Sequence, residues 1–264
     1  MRAMLVVFFL LAICFSDPLV APSMAGQVVT PETKTWAHEM LKSEKNVRAN
    51  IAPRTVAVLY FKNVSTVPDL DPLEKGLAIM LTTDLSKVNG LNVVERIKLQ
   101  ALIDEMNLEK ASLVSPGTSA TLGGLLGAQW LLGGVIDKAE LLEVDSKILD
   151  VRKEKALKNI KASGNMEALF KLEKQMVGEV VGALKIHLTA AQKVELQKPL
   201  STNSDALFSF FKGVDMSDKG NYDEAGRLYQ KALMEDAALV SAQEALAELS
   251  ALGLLSPTIA AEMP

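Results

Sequence analysis

Residues 55–61, Thr-Val-Ala-Val-Leu-Tyr-Phe, form a continuous apolar and β-branched run between Pro53-Arg54 and Lys62-Asn63. Such a run predicts a strand buried on both faces. Leu73, Leu77, Met80, Leu81, Leu85 and Val88 then recur at helical spacing. Asp71-Pro72-Leu73-Glu74 predicts a capping box with Pro72 at the first helical position, and Asn89-Gly90 predicts the helix end. A short strand over 91–95 follows, then a helix over 97–106 with Leu99, Leu102, Ile103 and Met106 on one side, and a third helix over 118–127. The alternation of strand and helix predicts a parallel arrangement with helices laid over the sheet.

Residues 111–136 carry no charged side chain, which raises a membrane span, but Pro116 and six glycines between Gly117 and Gly134 divide the stretch. It reads instead as a helix followed by a core strand over 129–139. From 141 to 162 the pattern alternates. Leu142, Val144, Ser146 and Ile148 lie on one side, Glu143, Asp145 and Lys147 on the other, and a charged turn falls near 152–155, which predicts a hairpin with one covered face. A helix is expected over 165–188, with Met166, Leu169, Phe170, Val177, Val180, Val181, Leu184 and Leu188 as its core stripe. Ahead of all this, Thr30 as N-cap and Pro31 at the first helical position begin an amphipathic helix to about Ser43, with Trp36 and Met40 on one face. A polar linker over 44–53 follows it. This helix is either a docking arm or, as we expect, packed back on its own domain.

Beyond the polar break at 199–204 the pattern changes. Phe208, Gly213, Gly220, Tyr222, Ala225, Tyr229 and Ala232 recur at the spacing of a tetratricopeptide-type helical hairpin, whose small residues let two helices approach closely. Ala237 stands where that repeat usually has Pro. A helix over 240–252 is placed to cover the exposed face. One repeat cannot bury its apolar stripe alone, so the hairpin must lean on that helix, on the preceding domain or on another protein.

The N-terminus reads as an address. Arg2 supplies a positive n-region, residues 5–15 an apolar core of about 11 residues, and Ser23-Met24-Ala25 a small-x-small cleavage site after Ala25. That core is too short to span a bilayer, which takes roughly 20 residues. Leu11-Ala12-Ile13-Cys14 resembles a lipobox only loosely, because Ile13 is bulky, so soluble export is preferred to lipidation of Cys14. Cleavage removes the only cysteine. The organisation expected is therefore a signal peptide over 1–25, a helical arm and linker over 26–52, an α/β domain over 53–198 and a helical hairpin with a capping helix over 199–256. The fold class is α/β, a mixed sheet flanked by helices, followed by a small all-α segment.

Composition narrows the function. The chain of 264 residues has 28 basic and 32 acidic side chains, a net charge of −4, with 49% hydrophobic residues. It lacks the basic footprint of a nucleic-acid binder. One Cys and two His leave no Cys/His metal site, and no metal or cofactor is expected. The acidic excess lies in residues 204–264, with 4 basic and 10 acidic side chains, and reads as a solvated helical surface. No phosphate loop or nucleophile elbow is present. Gly123-Gly124-Leu125-Leu126-Gly127 is followed by no Lys. His38 and His187 are isolated, and Asp104-Glu105, Asp69 and Asp71 are accounted for by helix surface and capping. No catalytic residue is assigned.

The order TVAVLYFKN, then LNVVERIKLQALIDEMNLE and LGGLLGAQWLLGGVIDKAE, with Glu95-Arg96 opening a helix, Glu105 near its end and Leu126-Gly127-Ala128 before a strand, resembles the CsgG family and its TolB N-terminal-like relatives. The resemblance covers about residues 53–188. It implies an exported, non-enzymatic periplasmic protein of the Gram-negative envelope, a scaffold or adaptor in secretion or curli-type assembly. The implied partners are other envelope proteins, with self-association into a homo-oligomer and peripheral membrane contact as possibilities. The alternative it implies is a subunit of an oligomeric outer-membrane secretion channel. Against that, only one hairpin is visible, and Lys158 lies between Ala156 and Ile160 on the face lipid would touch, where a mid-membrane Lys costs about 2 to 4 kcal/mol.

Overall fold

The computed structural model of the chain describes residues 27–42, 51–108, 116–138 and 140–261. The expected signal peptide with its expected cleavage site at Ala25, Cys14 and most of the expected 44–53 linker lie outside the described residues. In chain order the elements are α1 (Pro31–Lys42), β1 (Ala52–Val58), β2 (Lys62–Asn63), α2 (Pro72–Ser86), β3 (Asn92–Val93), α3 (Arg96–Glu105), α4 (Pro116–Leu125), β4 (Ala128–Lys138), β5 (Leu142–Asp150), β6 (Lys155–Gly164), α5 (Leu169–Ala183), α6 (Ala190–Glu195), α7 (Ser204–Asp218), α8 (Tyr222–Glu235), α9 (Val240–Ala251) and α10 (Pro257–Ala261).

The sheet runs β3-β1-β4-β5-β6, with β2 pairing β4 beyond the end of β1. Pairs among β1, β2, β3 and β4 are parallel, and β4-β5-β6 is an antiparallel meander. The apolar run that predicted a doubly buried strand begins earlier, at Ala52, and leaves the ladder after Val58; residues 56–61 are all buried nonetheless. Leu132, Ile136, Val144, Ile148 and Ile160 share the face covered by α2 and α5, as the alternation in the hairpin predicted. α4 closes on β4 through Gly123, which sits against Leu131 and Val151. α1 packs back on α3, so the N-terminal helix is part of the body.

Two expectations are corrected. The capping box does not form. A 3-10 turn over Pro68–Leu70 leads straight into α2, leaving Asp71 helical with no side-chain cap. The Asp71 and Glu74 carboxylates turn instead to Asn63, accepting from its side-chain amide (2.8 Å) and its backbone N–H (2.9 Å), so they hold β2 rather than the helix end. The helix expected over 165–188 stops at Ala183. Lys185 is left-handed (φ 55°), its N–H donates to the Gly182 carbonyl, and the Ile186 N–H donates back to Val181, a helix-closing pair built on a lysine where glycine is usual.

The helical tail rests on the α/β part through α7, whose buried residues include Phe210, Phe211 and Val214. Gly76 of α2 makes that approach possible, because a Cβ there would stand 2.2 Å from the Phe211 ring. Gly178 on α5, by contrast, faces open space. Gly76→Ala is expected to lower unfolding stability by about 1 to 3 kcal/mol through overpacking, whereas Gly178→Ala stabilises by up to about 1 kcal/mol through helix propensity. Urea denaturation of the two variants checks the difference.

Candidate functional site

The residues singled out for the helical hairpin come together. Gly220 is left-handed (φ 75°) in the turn between α7 and α8, where the 204–235 segment folds into two packed helices. Gly213 lies under the Tyr229 ring, which a Cβ would approach to 2.5 Å, and the Phe210 and Tyr229 centroids are 5.8 Å apart. Ala225, Tyr229 and Ala232 are fully buried, while Phe208 and Tyr222 pack half-buried at the rim. α9 and α10 cover α8 from the other side. The hairpin thus leans both on its own capping helices and on α2.

Where α7 meets the α/β part, a polar junction is sealed from solvent. Arg96, at the start of α3, is 5% exposed, and Asp218, at the end of α7, is 2% exposed. The guanidinium grips the carboxylate through both terminal nitrogens, at 2.8, 3.1 and 3.2 Å. Its Nε donates to the Gln27 side-chain oxygen (3.1 Å) and its Nη2 to the Gln27 carbonyl (2.7 Å), while Nη1 also donates to the Tyr60 hydroxyl (3.0 Å). Tyr60 donates in turn to Gln100 (2.9 Å), and Gln100 to Asp104 (2.7 Å). Lys75 of α2, itself buried, reaches Asp218 at 2.7 Å and Asp215 at 3.0 Å. Glu248 of α9 accepts from the backbone N–H of Gln27 (2.6 Å). One connected network therefore ties the N-terminal segment, β1's extension, α2, α3, α7 and α9.

The electrostatics follow from this packing. Burial alone would lower the Arg96 pKa, but the adjoining Asp218 carboxylate outweighs it and holds the guanidinium above its ordinary value. Burial pushes the Tyr60 and Tyr229 phenols well above the usual tyrosine range, so both stay neutral. Asp104 and Glu248 are raised as well, chiefly by burial. Arg96, Tyr60 and Tyr229 are thereby held in one protonation state, which suits a structural junction rather than proton transfer.

Between α2 and α5 lies a second buried cluster. Lys174 bonds Asp84 closely and reaches Glu173 at 3.1 Å, while Lys87 holds the other Asp84 oxygen at 2.8 Å. Glu173 is 1% exposed, and burial first, then the Asp84 charge, pushes its carboxyl up to about 8.

The remaining candidates do not converge. His38 pairs with Glu105 (2.7 Å) on the outer side of α1 and α3, and His187 is exposed in the loop after α5. Asp104 serves Gln100, and Asp71 serves Asn63. Among the described residues no group of three or more His, Cys, Asp or Glu is placed to hold a metal. On the sheet face away from α5, a shallow recess of about 420 Å³ is lined by Val64, Val135, Asp137, Glu143, Asp145 and Lys161.

Sequence reasoning passed over the junction, although its signal was legible. Arg96 and Gln100 stand at i and i+4 on the stripe of Leu99 and Ile103, and Asp218 continues the stripe of Phe211 and Val214. An uncompensated charge on each of two buried stripes points to a partner elsewhere in the fold.

The comparisons with known proteins centre on the α/β part. Residues 40–167, spanning β1 to β6, match the family described as "Curli production assembly/transport component CsgG". This match, which covers just under half of the chain, supports the CsgG family. Over 169 residues the chain is 24% identical to a protein of Rhizobium meliloti (strain 1021) provisionally named adenylate cyclase 3, covering 60% of this chain but only 27% of that protein. Solved structures it resembles include the LpoB C-terminal domain of Salmonella enterica (14% identity, 50% of this chain and 95% of that one, TM-score 0.35) and lipoprotein GNA1162 of Neisseria meningitidis (20% identity, 52% and 100%, TM-score 0.37).

Asp218→Ala strands Arg96 and Lys75 without their shared buried partner and is expected to cost about 3 to 5 kcal/mol in unfolding free energy, read by denaturant melts. The second cluster predicts a pH dependence. The Glu173 carboxyl has a folded-state value near 8 against an ordinary 4.5, so between them the folded chain holds a proton that the unfolded chain releases. The stabilisation is full below 4.5 and is lost as pH rises toward 8, with a slope of up to about 1.4 kcal/mol per pH unit. Glu173→Gln flattens that slope in melts taken across this range.

Proposed function

We propose that the chain is a non-catalytic interaction factor of the Gram-negative envelope, exported to the periplasm, which acts as a scaffold or adaptor in assembly or transport. The observation that carries this reading is the family match over β1 to β6, to a component whose description is assembly and transport. The chemistry of the described residues supports it. The strongly perturbed groups Arg96, Tyr60, Tyr229 and Glu173 are locked in internal packing, and a nucleophile, base and orienter are not gathered around a cleft. The tail joins the α/β part through buried charge and aromatic packing, so α8, α9, α10 and the β5–β6 hairpin are presented together on one body.

Membrane contact in this reading is peripheral. Among the described residues no helix is long and apolar enough to cross a bilayer. The hairpin packs one face on α5 and carries Glu143, Asp145, Lys147, Asn159 and Lys161 on the other, a pattern suited to water rather than to lipid. The tetratricopeptide-type reading of α7 and α8 places their role in protein contact, with other envelope proteins as partners and self-association open to measurement. When the full chain is expressed in a Gram-negative host, osmotic shock without detergent is expected to release it, with a mature N-terminus at Gly26 by mass spectrometry. Retention in the outer membrane until detergent is added would favour the channel instead.

A further inference from the structure

We propose that the outer edge of β6 is a docking edge for an extended acidic segment of another envelope protein, which pairs along it as an added strand. The inference rests on the interaction role above and gives it a surface and a partner chemistry.

β6 ends the sheet, pairing β5 on one side only. Among the described residues, none of its backbone groups takes part in a backbone hydrogen bond outside that ladder. An edge of this kind offers a row of free N–H and C=O groups that an extended peptide can complete. The edge is also preformed. Ile160 and Ala162 are buried beneath α5, and the Ser146 hydroxyl donates to the Ile160 carbonyl (3.3 Å), so the strand is held in place before anything binds.

Charge selects the occupant. Between Lys155 and Gly164 there are three lysines and no acidic residue. Lys158 bonds Glu179 (2.5 Å) and Lys161 bonds Asp145 (3.1 Å), with all four side chains between 43% and 79% exposed. Pairs this exposed are weak and exchange readily with an incoming carboxylate. A second copy of the chain is the poorer occupant. Two β6 strands side by side would bring three lysines from each copy to one seam, with no acidic residue on either strand to offset them. The edge thus repels its own kind and accepts a strand of opposite sign.

The test uses the full exported chain and a fluorescein-labelled ten-residue peptide of alternating Val and Glu. Saturable binding by anisotropy is expected, with hydrogen-exchange protection appearing in residues 155–164. Two comparisons decide the mode. The same peptide N-methylated at alternate residues loses binding, because the ladder cannot form. The double variant Lys158→Gln/Lys161→Gln, which removes the charge without setting carboxylates against Glu179 and Asp145, binds about tenfold more weakly while keeping the native melting curve by circular dichroism. Equal binding of the N-methylated peptide, or of the acidic peptide by the double variant, overturns the docking edge. An envelope pull-down separates the two levels of the argument. If the double variant retains every partner of the native chain, the edge is wrong and the interaction role stands. If the native chain retains nothing yet binds the acidic peptide through its backbone, the interaction role fails and the edge stands.

Discussion

The structure turns on a buried guanidinium. Arg96 sits among Leu99, Leu102 and Ile103 at the head of α3, where an unpaired charge would be untenable. It is tolerable only because Asp218 arrives from α7, more than a hundred residues later, and because Gln27 and Tyr60 take up the donors that the carboxylate leaves over. The pairing works in both directions. Asp218 is as deeply buried as its partner and answers to Lys75 as well, so neither half of the molecule presents a satisfied surface without the other.

This dependence changes what a helical hairpin of this kind can do here. A repeat unit placed on a linker would offer both faces of its first helix to a partner. In this chain that face is spent on α2, with Phe211 pressed against Gly76 and the two buried charges locking the contact. The surfaces left for contact are the outer sides of α8 to α10 and the far end of the sheet. They are carried on one body, joined across the α2–α7 seam by the Gly76–Phe211 contact and the buried charges.

The second polar cluster shows what the first avoids. At the main junction Asp218 is shared between two cations, and charge is balanced by geometry. At Asp84 and Glu173 two carboxyls crowd around Lys174, and balance is reached by keeping a proton on Glu173. Burial therefore yields a permanent ionic clamp in one place and a titratable contact in the other, within the same layer of helices over the sheet.

Much of the architecture could be read from residue order. The β-branched run at 55–61, the helical stripe from Leu73 to Val88, the alternation from Leu142 to Ile148 and the close-packing positions Gly213, Tyr229 and Ala232 each follow from periodicity, which is a local property set by how side chains repeat along a strand or helix. Errors arose where a local motif had a distant competitor: Asp71 and Glu74 have the spacing of a cap, but Asn63 claims both carboxylates. The stripe after Asn165 continues past Ala183 in sequence, but the helix closes there on the left-handed Lys185, with Ile186 and Leu188 packing on the core from outside the helix. What no local pattern could decide is which buried charge meets which. Coulombic pairing is blind to sequence separation and depends on where the folded layers bring two side chains together, so the meeting of Gln27, Arg96 and Asp218, and with it the fusion of sheet and helical tail into one body, was settled only by the tertiary structure.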